Sequence, residues 1–155
     1  MDSISVFFTG YLNRPEANEE FFGSDGFVHT GDLGSYDTSG FIFFEGRSKD
    51  LIKYKNNHIY PLEIENIIRN IPDVIDVGVF GRPEHTVQEL ITAVVVKRTN
   101  SDLTEDEIIQ RANESLEDVK KIRGGVIFVD KLPKNPQGKI LRRKLSELYD
   151  EVSRN

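Results

Sequence analysis

The chain has 155 residues, 37% hydrophobic and 30% charged, with a net charge of -6 and no cysteine. Such a composition suits a folded domain that buries roughly two thirds of its unfolded surface without a disulfide or metal staple. It excludes a thiol nucleophile, a zinc-cysteine site and a disulfide framework, and the acidic balance argues against a general nucleic-acid binder.

Met1 to Asn13 has neither the basic start nor the apolar run of a secretory leader, so an intracellular protein is expected. Residues 1 to 47 read as strands and turns, because Pro15, Gly23, Gly26, Gly31, Gly34 and Gly40 interrupt short aromatic segments. The clearest hairpin runs from Phe27 to Gly34, turns through Ser35 to Gly40 and returns over Phe41 to Glu45. A segment this small and this aromatic is expected to pack against something outside the chain.

From Ser48 onward helix and strand signals alternate, which places a boundary near Arg47 to Asp50 and divides the chain into 1–47, 48–150 and a solvated tail at 151–155. Pro61 suits the first turn of a helix whose apolar face is Leu62, Ile64, Ile67, Ile68 and Ile71, ended by Pro72. Val74 to Gly81, Leu90 to Lys97 and Gly125 to Val129 read as strands. Between the last two, Asp102 or Thr104 can cap a helix with Glu105, Asp106 and Glu107 at its positive end and Ile108, Ile109, Ala112 and Leu116 inward. A helix from Leu141 to about Val152 closes the chain. The expected architecture is a small α+β unit, a three-stranded sheet with flanking helices, preceded by a short β-rich segment. The longest apolar runs, Phe41 to Phe44 and Ile91 to Val96, are far short of the roughly 20 residues needed to span a bilayer.

Three clusters stand out for chemistry. They are His29-Thr30-Gly31-Asp32-Leu33-Gly34, then Gly46-Arg47-Ser48-Lys49-Asp50-Leu51-Ile52-Lys53-Tyr54-Lys55, then Pro133-Lys134-Asn135-Pro136-Gln137-Gly138-Lys139-Ile140. With Tyr11 to Ala17 upstream and Pro61-Leu62-Glu63-Ile64-Glu65 between, they resemble the last third of adenylate-forming enzymes: acyl-CoA synthetases, 4-coumarate-CoA ligases and beetle luciferases. The Leu-Ile-Lys-Tyr-Lys run is closer to the luciferase and coumarate-ligase branch than to peptide-synthetase adenylation domains.

The resemblance implies carboxylate adenylation by ATP with Mg2+, then transfer to coenzyme A. Lys139 would enter the active site between the acid and the α-phosphate, where charge accumulates on oxygen and a fixed cation helps. Without the resemblance, Lys134, Lys139, Arg142, Arg143 and Lys144 read as a basic solvated stretch. Asp32 would accept both ribose hydroxyls, although an Asp beside Gly often only completes a turn. Arg47 would reach the nucleotide, with a surface ion pair to Glu45 or Asp50 as the plainer reading. Lys49 sits at the family's hinge, where the side chain need do no chemistry. Lys53 and Lys55 would face the second, thioester-forming step, and Gly124 and Gly125 the coenzyme A entrance, unless they are simply a turn.

One departure is Asn56, where most relatives have Gly; Asn tolerates the left-handed backbone, but its side chain narrows the passage for a pantetheine arm. His29, His58 and His85 share no metal-ligand spacing and read as structural, so no metal site is expected. Residues 1 to 155 contain neither a Gly-, Ser- and Thr-rich phosphate loop nor a P-loop. The chain is therefore expected to need an N-terminal domain as packing partner, to be inactive alone and to bind no cofactor tightly. The alternative is a short non-catalytic binding module, or pseudoenzyme, docking onto a partner. A medium- or long-chain fatty or phenylpropanoid-type acid is the expected substrate class. Ser153-Arg154-Asn155 is a poor peroxisomal signal, leaving cytoplasm or peroxisome as the expected compartment.

Overall fold

The structure, a computed structural model, describes residues 9–24 and 27–154. They fall into two units, one ending at Asp32 and the other beginning at Leu33. The leader region up to Phe8 and Asn155 of the C-terminal tripeptide lie outside the described residues.

The first unit holds a helix, α1 (Pro15–Phe21), in a stretch that reads as strands and turns. Pro15 opens it, where a missing N–H costs nothing. None of its residues is buried, so it carries no apolar stripe for periodicity to reveal. Asn18 holds the preceding chain as a strand would: its Oδ1 accepts from Tyr11 N at 2.6 Å and its Nδ2 donates to Tyr11 O at 3.0 Å. Of the strand expected over Phe27 to Gly34, Val28 makes one isolated bridge with Phe22 and only Asp32 to Gly34 lie in a strand.

A two-stranded sheet follows, of β1 (Asp32–Tyr36) and β2 (Ile42–Arg47). Its loop is closed by Asp37 N to Phe41 O and Gly40 N to Asp37 O, with Gly40 at φ 85°. Asp37 Oδ1 also accepts from Ser39 N and Phe41 N, an acidic side chain doing a turn's bonding. Tyr36, Phe41, Ile42, Phe43 and Phe44 are all exposed.

The main sheet has five strands, not three. β5 (Val74–Glu84), β6 (Gln88–Lys97) and β7 (Val126–Phe128) are the three expected from the sequence, and a short hairpin of β3 (Ile52–Tyr54) and β4 (Asn57–Ile59) extends them. The order is β4-β3-β6-β5, with β7 parallel to β6 at Ala93 to Val95. β3 and β4 have three residues each, too few for an alternating pattern to be visible.

Both faces of this sheet are covered, which is why β6 reads as a continuous apolar run. Val77, Val79, Ala93, Val95 and Val126 face the larger core with α2 (Pro61–Arg69) and α3 (Glu105–Ser115). Their neighbours Phe80, Val94 and Ile127 face a smaller one with Leu132 and Leu145, the latter from α4 (Arg142–Val152). Gly78 makes room there: a Cβ would lie 2.8 Å from Leu145 Cδ1. Of the two caps expected for α3, Thr104 forms the capping box, accepting from Glu107 N at 3.3 Å while Glu107 Oε2 accepts from Thr104 N at 2.9 Å.

Candidate functional site

Lys139 lies on a five-residue hairpin loop of the same design as the Asp37 loop. Asn135 N donates to Lys139 O and Gly138 N to Asn135 O, both at 2.9 Å, and Gly138 is at φ 81°. Asn135 Oδ1 accepts from Lys139 N at 2.8 Å. Below the loop, Lys134 pairs with Ile140, and Leu141 N donates to Pro133 O at 2.9 Å. A lysine on so closely bonded a backbone projects its exposed ammonium from a fixed point. Lys134 bonds Asp76 on β5 at 2.6 Å, a second tether.

Lys53 and Lys55 stand on the β3–β4 hairpin. Lys55 (φ 46°) and Asn56 (φ 64°) are both left-handed, the geometry of a two-residue type I′ turn. Asn56 thus adopts the backbone a glycine would, supported by Gln88 Oε1, which accepts from Asn56 N at 3.0 Å. Lys55 N donates to Val87 O at 3.1 Å, and Glu89 Oε2 accepts from Lys53 N at 2.6 Å. The turn is thereby pinned to the β5–β6 hairpin.

The structure brings this turn close to the Gly124-Gly125 loop through one ring. Lys55 Nζ lies 5.4 Å from the Tyr54 ring centroid and the Arg123 guanidinium 5.2 Å from it. Gly124 itself is buried, its N–H donating to Ile91 O at 2.8 Å and its carbonyl accepting from Tyr149 Oη at 2.9 Å. Gly125 is at φ 94°. Among the described residues no hydrogen bond or ion pair joins the Lys139 hairpin to the Lys53–Lys55 hairpin.

Asp32 begins β1, with its backbone N–H donating to Thr30 Oγ1 at 3.1 Å and its side chain on an exposed residue. Arg47 is the last residue of β2, half-buried, and Lys49 is exposed in a 3-10 turn, Ser48–Asp50. Arg47 has extended backbone (φ -110°, ψ 141°), as does Leu51 after the turn (φ -60°, ψ 135°).

Sequence reasoning missed the most connected group. Arg142, the first residue of α4, donates to both oxygens of Glu65 and to Val79 O at 2.8 Å, and its Nε lies 3.6 Å from Asp50 Oδ2. Glu65 is 2% exposed and also accepts from Val79 N at 2.9 Å. A charged glutamate on the buried side of α2 was the available signal.

A cavity of about 450 Å³ is lined by Phe44, Glu45, Tyr60, Leu62, Glu63, Asn66 and Lys120, and its lining includes none of Asp32, Arg47, Lys49, Lys53, Lys55, Gly124, Gly125 and Lys139. There the Tyr60 hydroxyl, hydrogen-bonded to Glu45, is held above its ordinary pKa by that bond, by burial and by the Glu45 charge. Lys120 donates to Glu63 Oε1 at 2.9 Å, which raises the lysine's pKa. Among the described residues no three His, Cys, Asp or Glu side chains gather to hold a metal ion, and no helix is long and apolar enough to cross a membrane.

Residues 63–139 match the AMP-binding enzyme C-terminal domain. The chain is 40% identical over 140 residues to luciferin 4-monooxygenase of Photinus pyralis, covering 90% of this chain and 26% of that protein. It is 40% identical over 136 residues to 4-coumarate-CoA ligase 1 of Arabidopsis thaliana, covering 88% and 24%. ATP-bound MatB from Rhodopseudomonas palustris superposes with a TM-score of 0.85 at 36% identity, over 94% of this chain and 29% of that one. The chain therefore spans about a quarter of the length of the curated relatives it matches. Residues 63–139 are thus an AMP-binding enzyme C-terminal domain, and in sequence and fold the chain is similar to the C-terminal part of adenylate-forming enzymes of the acyl-CoA synthetase, coumarate-ligase and luciferase type.

Proposed function

We propose that the chain supplies the mobile C-terminal portion of an ATP-dependent acid-CoA ligase, with residues 48–150 as the lid and residues 1–47 as the end of the preceding domain. The observation that carries this reading is the Lys139 hairpin, whose backbone bonds fix the base of an otherwise exposed ammonium. In the first step an acid oxygen attacks the α-phosphorus of ATP and pyrophosphate leaves. Lys139 holds the acid and α-phosphate oxygens together as charge builds on them, Asp32 accepts the ribose hydroxyls, and Arg47 steadies the nucleotide.

Rotation about Lys49 then exchanges the Lys139 hairpin for the Lys53–Lys55 hairpin, and the coenzyme A thiol displaces AMP from the acyl carbon. Gly124 and Gly125 serve this step by shape, since the Gly124 N–H and both carbonyls are engaged with β6 and Tyr149. Among the described residues none is assigned to Mg2+, because no acidic cluster forms. The walls that bind ATP and a fatty or phenylpropanoid-type acid belong to the three quarters of the relatives that this chain does not span. The exposed row Tyr36, Phe41, Ile42, Phe43 and Phe44 is suited to contact that part.

The test is to join the chain to the preceding portion of the Photinus relative and measure acid-dependent pyrophosphate release. Activity in the chimera, none in the chain alone, and a loss of about a hundredfold in Lys139→Ala are expected. Full activity of Lys139→Ala would refute the assignment.

A further inference from the structure

Arg142 is in the wrong place by local rules. It opens α4 together with Arg143 and Lys144, and no acidic residue lies in that first turn. The N-terminus of a helix carries partial positive charge, so cations there are unfavourable unless acids from elsewhere compensate. Two do. Glu65 of α2 takes two of the guanidinium nitrogens and Asp50 faces the third.

Part of this arrangement is explained by the sheet. Among the described residues β5 pairs only with β6, leaving its other side as an edge. Glu65 accepts from Val79 N and Arg142 donates to Val79 O, so the ion pair bonds the edge as a neighbouring strand would. Asp50 contributes nothing to that edge. Its position matters for a different reason: it ends the 3-10 turn that contains Lys49, and Arg142 stands three residues after Lys139, directly beyond the Pro133–Leu141 closure.

The geometry points to Arg142 as a positioning residue that makes the hinge turn Ser48–Asp50 and the Lys139 hairpin one mechanical body, so that rotation at the hinge is delivered to the lysine without slack. This rests on the reading of Lys139 and Lys49 given above. Arg142 touches no reacting atom. Its guanidinium is planar and forked, which lets it meet Glu65, Val79 and Asp50 at once in a way a lysine cannot.

Hydrogen exchange read by mass spectrometry on the 155-residue chain separates this role from edge capping. Asp50→Ala removes the hinge contact and leaves the Glu65–Val79–Arg142 bonds intact. Exchange should rise about fivefold in residues 48–53 and also in 134–141, with β5 and β6 amides unchanged. A rise confined to 48–53 would overturn the proposal. Arg142→Lys is the second variant: acceleration at both segments supports the coupling, and acceleration in β5 alone refutes it. The measurement involves no nucleotide, so its outcome is independent of whether Lys139 performs adenylation in the chimera.

Discussion

Tyr149, near the end of α4, donates its hydroxyl to the carbonyl of Gly124 at 2.9 Å. The last helix thus holds the glycine loop against β6, where Gly124 N donates to Ile91 O at 2.8 Å. A Cβ on Gly124 would lie 1.9 Å from Thr92 Oγ1 and 3.0 Å from Ile91 O, so the site admits only glycine without rearrangement.

Gly124→Ala should destabilise the fold by about 2–3 kcal/mol, the cost of overpacking against a buried side chain and backbone. Tyr149→Phe should cost about 1 kcal/mol through the lost hydrogen bond. Urea unfolding midpoints check both. An unshifted midpoint for Gly124→Ala would mean the loop is not seated on β6 as described.

Asn56 occupies the left-handed position of the β3–β4 turn at φ 64°. Asn56→Gly should change stability by no more than about 0.5 kcal/mol, while Asn56→Val should cost about 1–2 kcal/mol because a β-branched residue strains there. Thermal unfolding of the two variants side by side tests whether the departure from Gly is tolerated by backbone geometry.

Asn135 organises the lysine hairpin by accepting from Lys139 N at 2.8 Å. In the chimera, Asn135→Ala should lower pyrophosphate release by about tenfold, less than Lys139→Ala, because a misplaced cation retains part of its effect. Equal losses for the two variants would show that Asn135 does more than shape the loop.

The Glu63 hydrogen bond raises the Lys120 pKa above its ordinary 10.5. A raised folded-state value means the bond's contribution is full below 10.5 and fades as pH climbs through the folded value. Unfolding followed from pH 9 to 12 should show an alkaline loss of stability that is smaller in Glu63→Gln. The same alkaline slope in both proteins would exclude the pair as its source.

Local signals carried a good part of this fold. Pro61 with its isoleucines located α2, a cap at Asp102 or Thr104 with the acidic run Glu105 to Glu107 located α3, and the apolar run at Ile91 to Val96 located the central strand. In each case the residue pattern and the element share one period. The unburied α1, and the short β3 and β4 whose exposed Lys53, Asn57 and His58 interrupt any apolar run, gave no such pattern.

By itself the sequence determined the family motifs and the elements with a continuous apolar pattern, because turn chemistry and hydrophobic period are local properties. Only tertiary structure decided that Glu65 and Arg142, 77 positions apart, finish the edge of β5, and that Gly124 must be glycine because Thr92 lies against it. Those constraints come from groups that meet only after folding: a buried charge needs its partner, and a Cβ needs space. Neither need has a spacing that can be read along the chain.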